Sequence, residues 1–324
     1  MDYVLVRPRG TGKGGSEKLD GHEMHYFDSQ LTEGKRAVVQ KAVRHEVAET
    51  DVPARVEAWE SHIPELLAYV EAKPKALSLL IDPVMSAACT RSLIDPSAAR
   101  LESWEAWVVA MQVSSAVFAS ATAEPGGTAQ CRIADREWSI PAIGPQYYTN
   151  AGRWLSAFWL CVVCREAERL SMLSSVSVEL LRQSGAEFDE YVYPWVQALQ
   201  AFWNGDAELT DRLAEAVQGS DPANAPVAGE ELMLRVLYPP LQAFSYVLQR
   251  DQEKFDEALL QGLVLYRQYW SADEERLEDS DGLVALALLG VACLAKDVGM
   301  SVGVESDYLP KHLLERSWIG EFPT

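Results

Sequence analysis

The pattern of hydrophobic and polar residues predicts helices along most of the chain. The clearest case lies between residues 101 and 118, where apolar residues return every three or four positions, as on one face of a helix. Glu102, Glu105 and Gln112 fall on the other side, which predicts a polar face toward solvent. The predicted buried face comprises Trp104, Trp107, Val108, Met111, Ser115 and Phe118.

A weak internal repeat predicts paired helices. The motif Leu-x-Ala-Phe occurs three times, ending at Phe158, Phe202 and Phe244, at intervals of 44 and 42 residues. An acidic turn and a second helical pattern follow each copy, at 166–173, 206–217 and 251–266. This period is typical of HEAT or armadillo helical pairs, although such a short motif also recurs by chance. The predicted fold class is all-α, with antiparallel helical hairpins in a solenoid-like (HEAT/TPR-like) array and the three phenylalanines buried at equivalent positions.

One short stretch follows a different period. Residues 129–140 alternate between apolar and polar around Ala134-Asp135-Arg136, which predicts a small β-hairpin. Asp-Pro pairs also interrupt the helical pattern, and we expect each aspartate to cap a helix whose first turn holds the proline. The pairs are Asp82-Pro83, Asp95-Pro96 and Asp221-Pro222.

The domain organisation predicted from these patterns is simple. Residues 1–30 form an irregular, glycine-rich leader without periodicity, and both Met1 and Met24 are compatible with the natural start. Residues 31–324 are predicted to form a single all-helical domain, with a possible subdivision near 124–149. The oligomeric state is left open.

The charge distribution restricts the partners. The chain carries 48 acidic and 28 basic residues, a net charge of −20, while residues 1–45 carry a net +2. The remaining body is therefore strongly acidic and repels nucleic acid and anionic lipid, so neither nucleic acid nor a membrane is expected as a partner. Such a body attracts basic proteins, although its acidity is also compatible with a role in solubility alone.

The inventory of catalytic and metal-binding residues is thin. Gly10–Ser16 fails the phosphate-loop pattern, and His22 and His25 have the wrong spacing for a zinc protease. Cys161 and Cys164 lie one helical turn apart but have no second pair, so we expect buried core thiols rather than zinc ligands. We expect no catalytic residue, cofactor or metal. Five unpaired-looking cysteines fit a reducing cytoplasm, and the apolar run 283–295 is too short to cross a membrane.

The most concentrated charge lies in residues 273–281, here called the acidic segment. It holds six acids and a single basic residue, Arg276. We expect it to dock a basic protein, and the alternative is an ordinary solvated loop. The candidate partner-binding residues are Asp273, Glu274, Glu275, Glu278, Asp279 and Asp281.

Several short motifs between residues 50 and 324 resemble the immunity protein 49 family of bacterial polymorphic-toxin systems. The most distinctive is the tail 305–314, which reads Glu-Ser-Asp-Tyr-Leu-Pro-Lys-His-Leu-Leu. The other motifs are 101–107 (LESWEAW), 144–149 (GPQYYT), 191–195 (YVYPW), 237–240 (LYPP) and 269–270 (YW).

The resemblance implies a mostly helical cytoplasmic protein that binds and neutralises a cognate toxin and has no catalytic residues of its own. An acidic body would suit a toxin with a basic active site, such as a nuclease. Two other functions remain compatible with the sequence. One is a helical-repeat scaffold or regulator that binds a cellular peptide or protein, and the other is an unrecognised enzyme that uses carboxylates and tyrosines.

Overall fold

The computed structural model describes residues 39–47, 51–322 and 324 and is mostly helical, as predicted. The predicted leader, with His22 and His25, lies outside the described residues. The helices are α1 (Val52–Glu60), α2 (Ile63–Leu67), α3 (Leu77–Arg91), α4 (Leu101–Thr122), α5 (Ala151–Cys164), α6 (Ala167–Ser174), α7 (Val178–Arg182), α8 (Val192–Asn204), α9 (Leu209–Gly219), α10 (Gly229–Leu232), α11 (Tyr238–Gln249), α12 (Gln252–Trp270), α13 (Glu274–Glu278), α14 (Leu286–Asp297) and α15 (Lys311–Leu314).

Shorter elements join these helices. Three 3-10 turns occupy Pro74–Ala76, Pro222–Asn224 and Ser280–Gly282, and a π-helical turn at Met233–Leu237 connects α10 to α11. Strands β1 (Gln40–Lys41) and β4 (Val304–Glu305) pair in parallel. Strands β2 (Thr128–Ile133) and β3 (Arg136–Pro141) form an antiparallel hairpin, which confirms the hairpin predicted near 129–140.

Helix α4 is the central core helix, and its burial corrects one prediction. All six residues of the predicted apolar face are buried, but so is most of the remaining surface of this helix. Gln112, which was predicted to face solvent, is completely buried. Its Oε1 accepts a hydrogen bond of 2.7 Å from the backbone N–H of Ala134, in the turn between β2 and β3. The β2–β3 hairpin covers this side of α4 and shields Gln112 from solvent. The Gln112 side chain is tolerated there because it accepts the hydrogen bond of a backbone N–H in the hairpin turn.

Three helical hairpins follow, formed by α5 with α6, α8 with α9, and α11 with α12. The first helix of each pair ends at a residue with left-handed backbone geometry, at Arg165, Gly205 and Arg250. An acidic residue follows in every case, so each hairpin has the acidic turn that the repeat predicted. The hairpins are compatible with a solenoid-like array, and the array itself stays a prediction.

The three repeat phenylalanines are not equivalent. Phe158 and Phe244 lie in the middle of their helices and are fully buried, as predicted. Phe202 lies in the last turn of α8 and is only half-buried, with its ring packed edge-on against Phe244 at 5.2 Å between centroids. The prediction of three equivalent buried positions is therefore wrong for Phe202, because its motif stands closer to the turn that ends the helix.

The Asp-Pro pairs mark different features. Asp221 caps the 3-10 turn that begins at Pro222, as expected. Asp95 does not cap a helix, because Pro96 lies in a turn and Arg100 is the N-cap of α4. Its carboxylate instead accepts hydrogen bonds from the backbone N–H groups of Ala99 and Arg100. Asp82 does not cap a helix either, which corrects the prediction for both residues, because Pro83 lies inside α3. The helix continues through this proline, and the Asp82 carboxylate is exposed and pairs with Arg153 on α5 at 2.6 Å.

The last long helix, α14, returns to the centre of the molecule and packs against α5 and α11. The approach to α5 is close, since a Cβ at Gly290 would lie 2.4 Å from the Trp159 ring. Beside this contact, Arg165 forms a 3.0 Å ion pair with Asp297 and donates a hydrogen bond to the Leu313 carbonyl. These buried contacts fix α5, α14 and the last residues of α15 to one another.

The apolar run 283–295 is almost entirely buried. Within the described ranges, none of the helices combines the length and the hydrophobicity that crossing a bilayer requires.

Candidate partner-binding surface

The acidic segment folds into two short capped turns. Asp273 is the N-cap of α13 and accepts a 2.9 Å hydrogen bond from the backbone N–H of Arg276. Glu274 and Glu275 occupy the first turn, where negative charge interacts favourably with the helix dipole. Asp279 then caps the 3-10 turn and accepts from the N–H of Asp281 at 2.9 Å. The same acids that concentrate the charge therefore also define the local backbone.

All six predicted partner-binding acids are exposed, whereas the residues that anchor the segment are buried. Ser280 is buried and its hydroxyl lies 3.0 Å from that of Ser86 on α3. Gly282 lies against the indole of Trp270, where any Cβ would approach within 2.8 Å. These contacts hold the acidic segment against the protein while its carboxylates face solvent.

Arg276, the single basic residue of the acidic segment, interacts with three neighbouring side chains. Its guanidinium forms ion pairs of 3.2 Å with both Glu231 and Asp273. It also stacks over the ring of Tyr269, 4.2 Å from the ring centroid. The positive charge is therefore held against the protein, and the exposed carboxylates dominate the field toward solvent.

One further carboxylate, that of Asp82 on α3, adjoins the far end of the acidic segment. Desolvation by the surrounding protein raises the pKa of the exposed Asp281 carboxyl, and the negative charges of Asp279 and Asp82 raise it further. Arg153 opposes this effect, but its guanidinium is paired with Asp82 at 2.6 Å. The ionised form of Asp281 is therefore less favoured than that of an isolated aspartate.

A buried aromatic network supports the acidic segment from below. The hydroxyl of Tyr266 lies 2.5 Å from the Asp281 carbonyl oxygen and 3.0 Å from that of Val284. Its ring packs edge-on against Tyr308, whose hydroxyl lies 2.8 Å from Nδ1 of His45. Burial lowers the pKa of His45, and the nearby Arg44 lowers it further. The N-terminal strand region, the C-terminal region and the acidic segment thus meet in one network.

The remaining cysteines lie in the core of the described structure. Cys161 and Cys164 are buried, as predicted, and burial raises the pKa of both thiols. Burial likewise raises the pKa of Cys131 and Cys293 to about 11. In the part of the chain that the structure describes, no group of three or more His, Cys, Asp or Glu side chains is placed to hold a metal ion.

Sequence reasoning found the exposed acids but missed the residues that tie them to the body. Glu231 pairs with Arg276 across 45 positions, and Arg153 pairs with Asp82 across 71. No local pattern signals such long-range pairs. The Tyr-Pro-Pro motif at 238–240 did offer a usable signal, because two consecutive prolines within a helical pattern disturb the backbone that precedes them.

Comparison with known proteins identifies the family of this chain. The family model for immunity protein 49 matches residues 95–313, a narrower span than the motifs suggested but more than half of the chain. Searches of curated proteins and of solved structures give no significant match. On the strength of the family match, the chain belongs to the immunity protein 49 family.

Proposed function

We propose that this protein is a non-catalytic, cytoplasmic immunity protein that binds and neutralises a cognate bacterial toxin. Membership of the immunity protein 49 family supports the general role. The observation that supports the proposed binding mode is the exposed acidic segment, whose single arginine is turned toward the protein. The partner surface is then basic, as in a nuclease whose active site binds a polyanion.

The physical basis of this proposal is electrostatic. Six exposed carboxylates within nine residues give a field that reaches about 8 Å beyond the surface at physiological salt. Such a field accelerates association with a positively charged protein and aligns the encounter. Rapid capture matters for an inhibitor that must act before a free toxin turns over its substrate. Covering a basic groove also blocks the substrate physically, so the immunity protein needs no chemistry of its own.

The direct test is co-expression with candidate C-terminal toxin domains of polymorphic toxins from the same genome. We expect wild-type protein to restore growth of cells that express the active toxin domain and to bind an inactivated toxin domain in purified form. A toxin domain from an unrelated system serves as the specificity control. Failure to restore growth and failure to bind would contradict the proposed function and would favour a helical scaffold with a cellular partner.

A second experiment tests the acidic segment itself. Asp273, Glu274, Glu278 and Asp279 are replaced together by lysine, and association with the inactivated toxin domain is followed by rapid mixing at several salt concentrations. We expect association to slow by about tenfold or more at low salt and its salt dependence to flatten. An association rate and salt slope equal to those of wild type would show that the segment is only a solvated turn.

The matched control changes the net charge equally at another site. Four exposed acids near α9 are replaced by lysine, so both variants gain eight positive charges. If attraction depends on the position of the acidic segment, the association rate of this control should fall much less. If only net charge matters, both variants should lose the same amount of association rate. The control residues are Asp206, Glu208, Asp211 and Glu215.

A further inference from the structure

The π turn at Met233–Leu237 is a local departure from the regular helix that has a clear cause. The two residues that follow Tyr238 are Pro239 and Pro240, which have no N–H to donate to the carbonyls of Arg235 and Val236 four positions earlier. The N–H of Tyr238 instead donates to the carbonyl of Met233, five positions back. Widened turns of this kind are rare and occur often at functional sites.

The π turn places a large apolar side chain on the surface. Met233 is fully buried and anchors the turn, whereas the adjacent Leu234 is 41% exposed. Leu234 follows Glu230 by four residues and Glu231 by three, a spacing that puts neighbours on the same side of a helix. This spacing places the exposed leucine on the same side of the chain as two carboxylates.

Ion pairs connect the π turn that holds this leucine to the acidic segment. Glu231 pairs with Arg235 inside the π turn at 2.9 Å and with Arg276 in α13 at 3.2 Å. Arg276 in turn covers the half-buried ring of Tyr269. The ion pairs of Glu231 therefore tie the π turn to α13. We call the residues around this junction the Leu234 surface and define it as Glu230, Glu231, Leu234, Tyr269 and Arg276.

The charge of the Leu234 surface identifies the kind of partner that fits it. Five acids at positions 230, 231, 273, 274 and 275 surround two arginines, and both arginines are paired with Glu231. A basic partner that presents an apolar side chain between its cations would match this arrangement. Apolar and aromatic anchors ringed by charged residues dominate binding energy at protein interfaces, because the ring excludes water from the anchor.

We propose that the Leu234 surface is the apolar anchor of the interface with the basic toxin, next to the acidic segment that attracts it. This inference rests on the proposed function and assigns a different role to a neighbouring surface, which shares Arg276 with the acidic segment. Exposed charges govern the rate of encounter, whereas a buried anchor governs how long the complex lasts. The two surfaces therefore differ in the kinetic constant that they control.

The test uses an inactivated form of the toxin domain whose active form the wild-type protein neutralises in the growth assay. Leu234→Asp introduces a charge at the anchor, and Leu234→Ala removes the side chain without adding one. We expect Leu234→Asp to dissociate at least about tenfold faster, with a much smaller change in association rate, and Leu234→Ala to show a weaker effect of the same kind. The matched control is Leu79→Asp, which alters another exposed leucine, on α3, that is 61% exposed. Its dissociation rate should stay within about twofold of wild type.

Hydrogen exchange of the wild-type complex keeps the test decisive if Leu234→Asp fails to fold. Toxin binding should slow exchange in residues 230–238 and 269–278, and unchanged exchange there would overturn the inference. If wild type binds and Leu234→Asp and Leu234→Ala both dissociate at the wild-type rate, the Leu234 surface is wrong while the proposed function stands. If the wild-type protein neither restores growth nor binds the toxin domain, both the inference and the proposed function fail. A wild-type dimer that Leu234→Asp converts to monomers would identify a second copy as the occupant and would also overturn the inference.

Discussion

Two arginines in this protein pair with carboxylates in opposite surroundings. Arg165 and Asp297 are buried, with side chains 7% and 4% exposed, and Arg165 also donates to backbone carbonyls of the C-terminal region. Arg276 pairs with Glu231 and Asp273 at the edge of the acidic segment, where the carboxylates contact solvent. A buried charge is stabilised mainly by its ion-pair partner, because water cannot reach it when the partner is lost. An exposed charge is solvated by water when its partner is lost. The comparison separates residues that hold the fold from residues that are free to serve binding.

The largest expected effect is at the buried pair. Arg165→Met would leave Asp297 buried without its main counter-ion, so we expect the free energy of unfolding to fall by about 3–5 kcal/mol. Urea denaturation followed by circular dichroism measures this loss. Replacing Asp297 by leucine in the same chain should recover part of the loss, because the uncompensated charge is then removed. A loss below about 1 kcal/mol in Arg165→Met would contradict the assignment of this pair as a structural centre.

The same contrast holds for apolar side chains. Phe158→Ala should cost about 3–5 kcal/mol because the ring is fully buried against Trp154 and Trp159. Phe202→Ala should cost clearly less, since Phe202 is half-buried at a helix end. Thermal and urea unfolding of both variants provide the comparison. Equal losses of unfolding free energy would indicate that the repeat places these phenylalanines in equivalent environments.

Acidification should affect the network beneath the acidic segment. Burial, with help from Arg44 and Arg267, lowers the pKa of His45 below its ordinary value of 6.5. Between the lowered pKa and 6.5 the unfolded chain binds a proton that the folded protein does not, so unfolding free energy decreases as the pH falls through this window. The loss is about 1.4 kcal/mol for each unit of pKa shift and is fully restored above pH 6.5.

Urea unfolding of wild type and His45→Gln between pH 5 and 7.5 measures this contribution. The variant cannot titrate at this position, so its stability should fall less than that of wild type on acidification. Parallel pH profiles for the two proteins would show that His45 does not become charged in this range.

The smallest stability effect is expected for Arg276→Met. Water can solvate Glu231 and Asp273 once the guanidinium is gone, so the denaturation midpoint should move far less than in Arg165→Met. Association with a basic toxin should instead become faster, because the one cation of the segment is removed. A large loss of stability in this variant would break the separation between structural and binding charges.

The fold and the candidate surface were predictable to different degrees, for physical reasons. The periodicity at Trp104 and Trp107 reports burial directly, because one side of a helix must be apolar to face a core. The acids of 273–281 were identified because like charges concentrated in sequence are exposed in almost any fold. Gln112 was misassigned because its burial depends on a turn 22 residues away that supplies an N–H. Leu234 was missed because helical periodicity assumes a regular helix. Pro239-Pro240 widens the preceding helical turn, Met233–Leu237, which contains Leu234.

The parallel pairing of β1 with β4 has a consequence for the order of synthesis. His45 leaves the ribosome 263 residues before Tyr308, the side chain that it contacts. At a translation rate of roughly 5–20 residues per second, that interval is on the order of 10–50 s. During this time the nascent chain can form its local helical hairpins, but the network below the acidic segment lacks one of its members. We therefore expect the acidic segment to reach its final rigidity only after almost the whole chain has been translated.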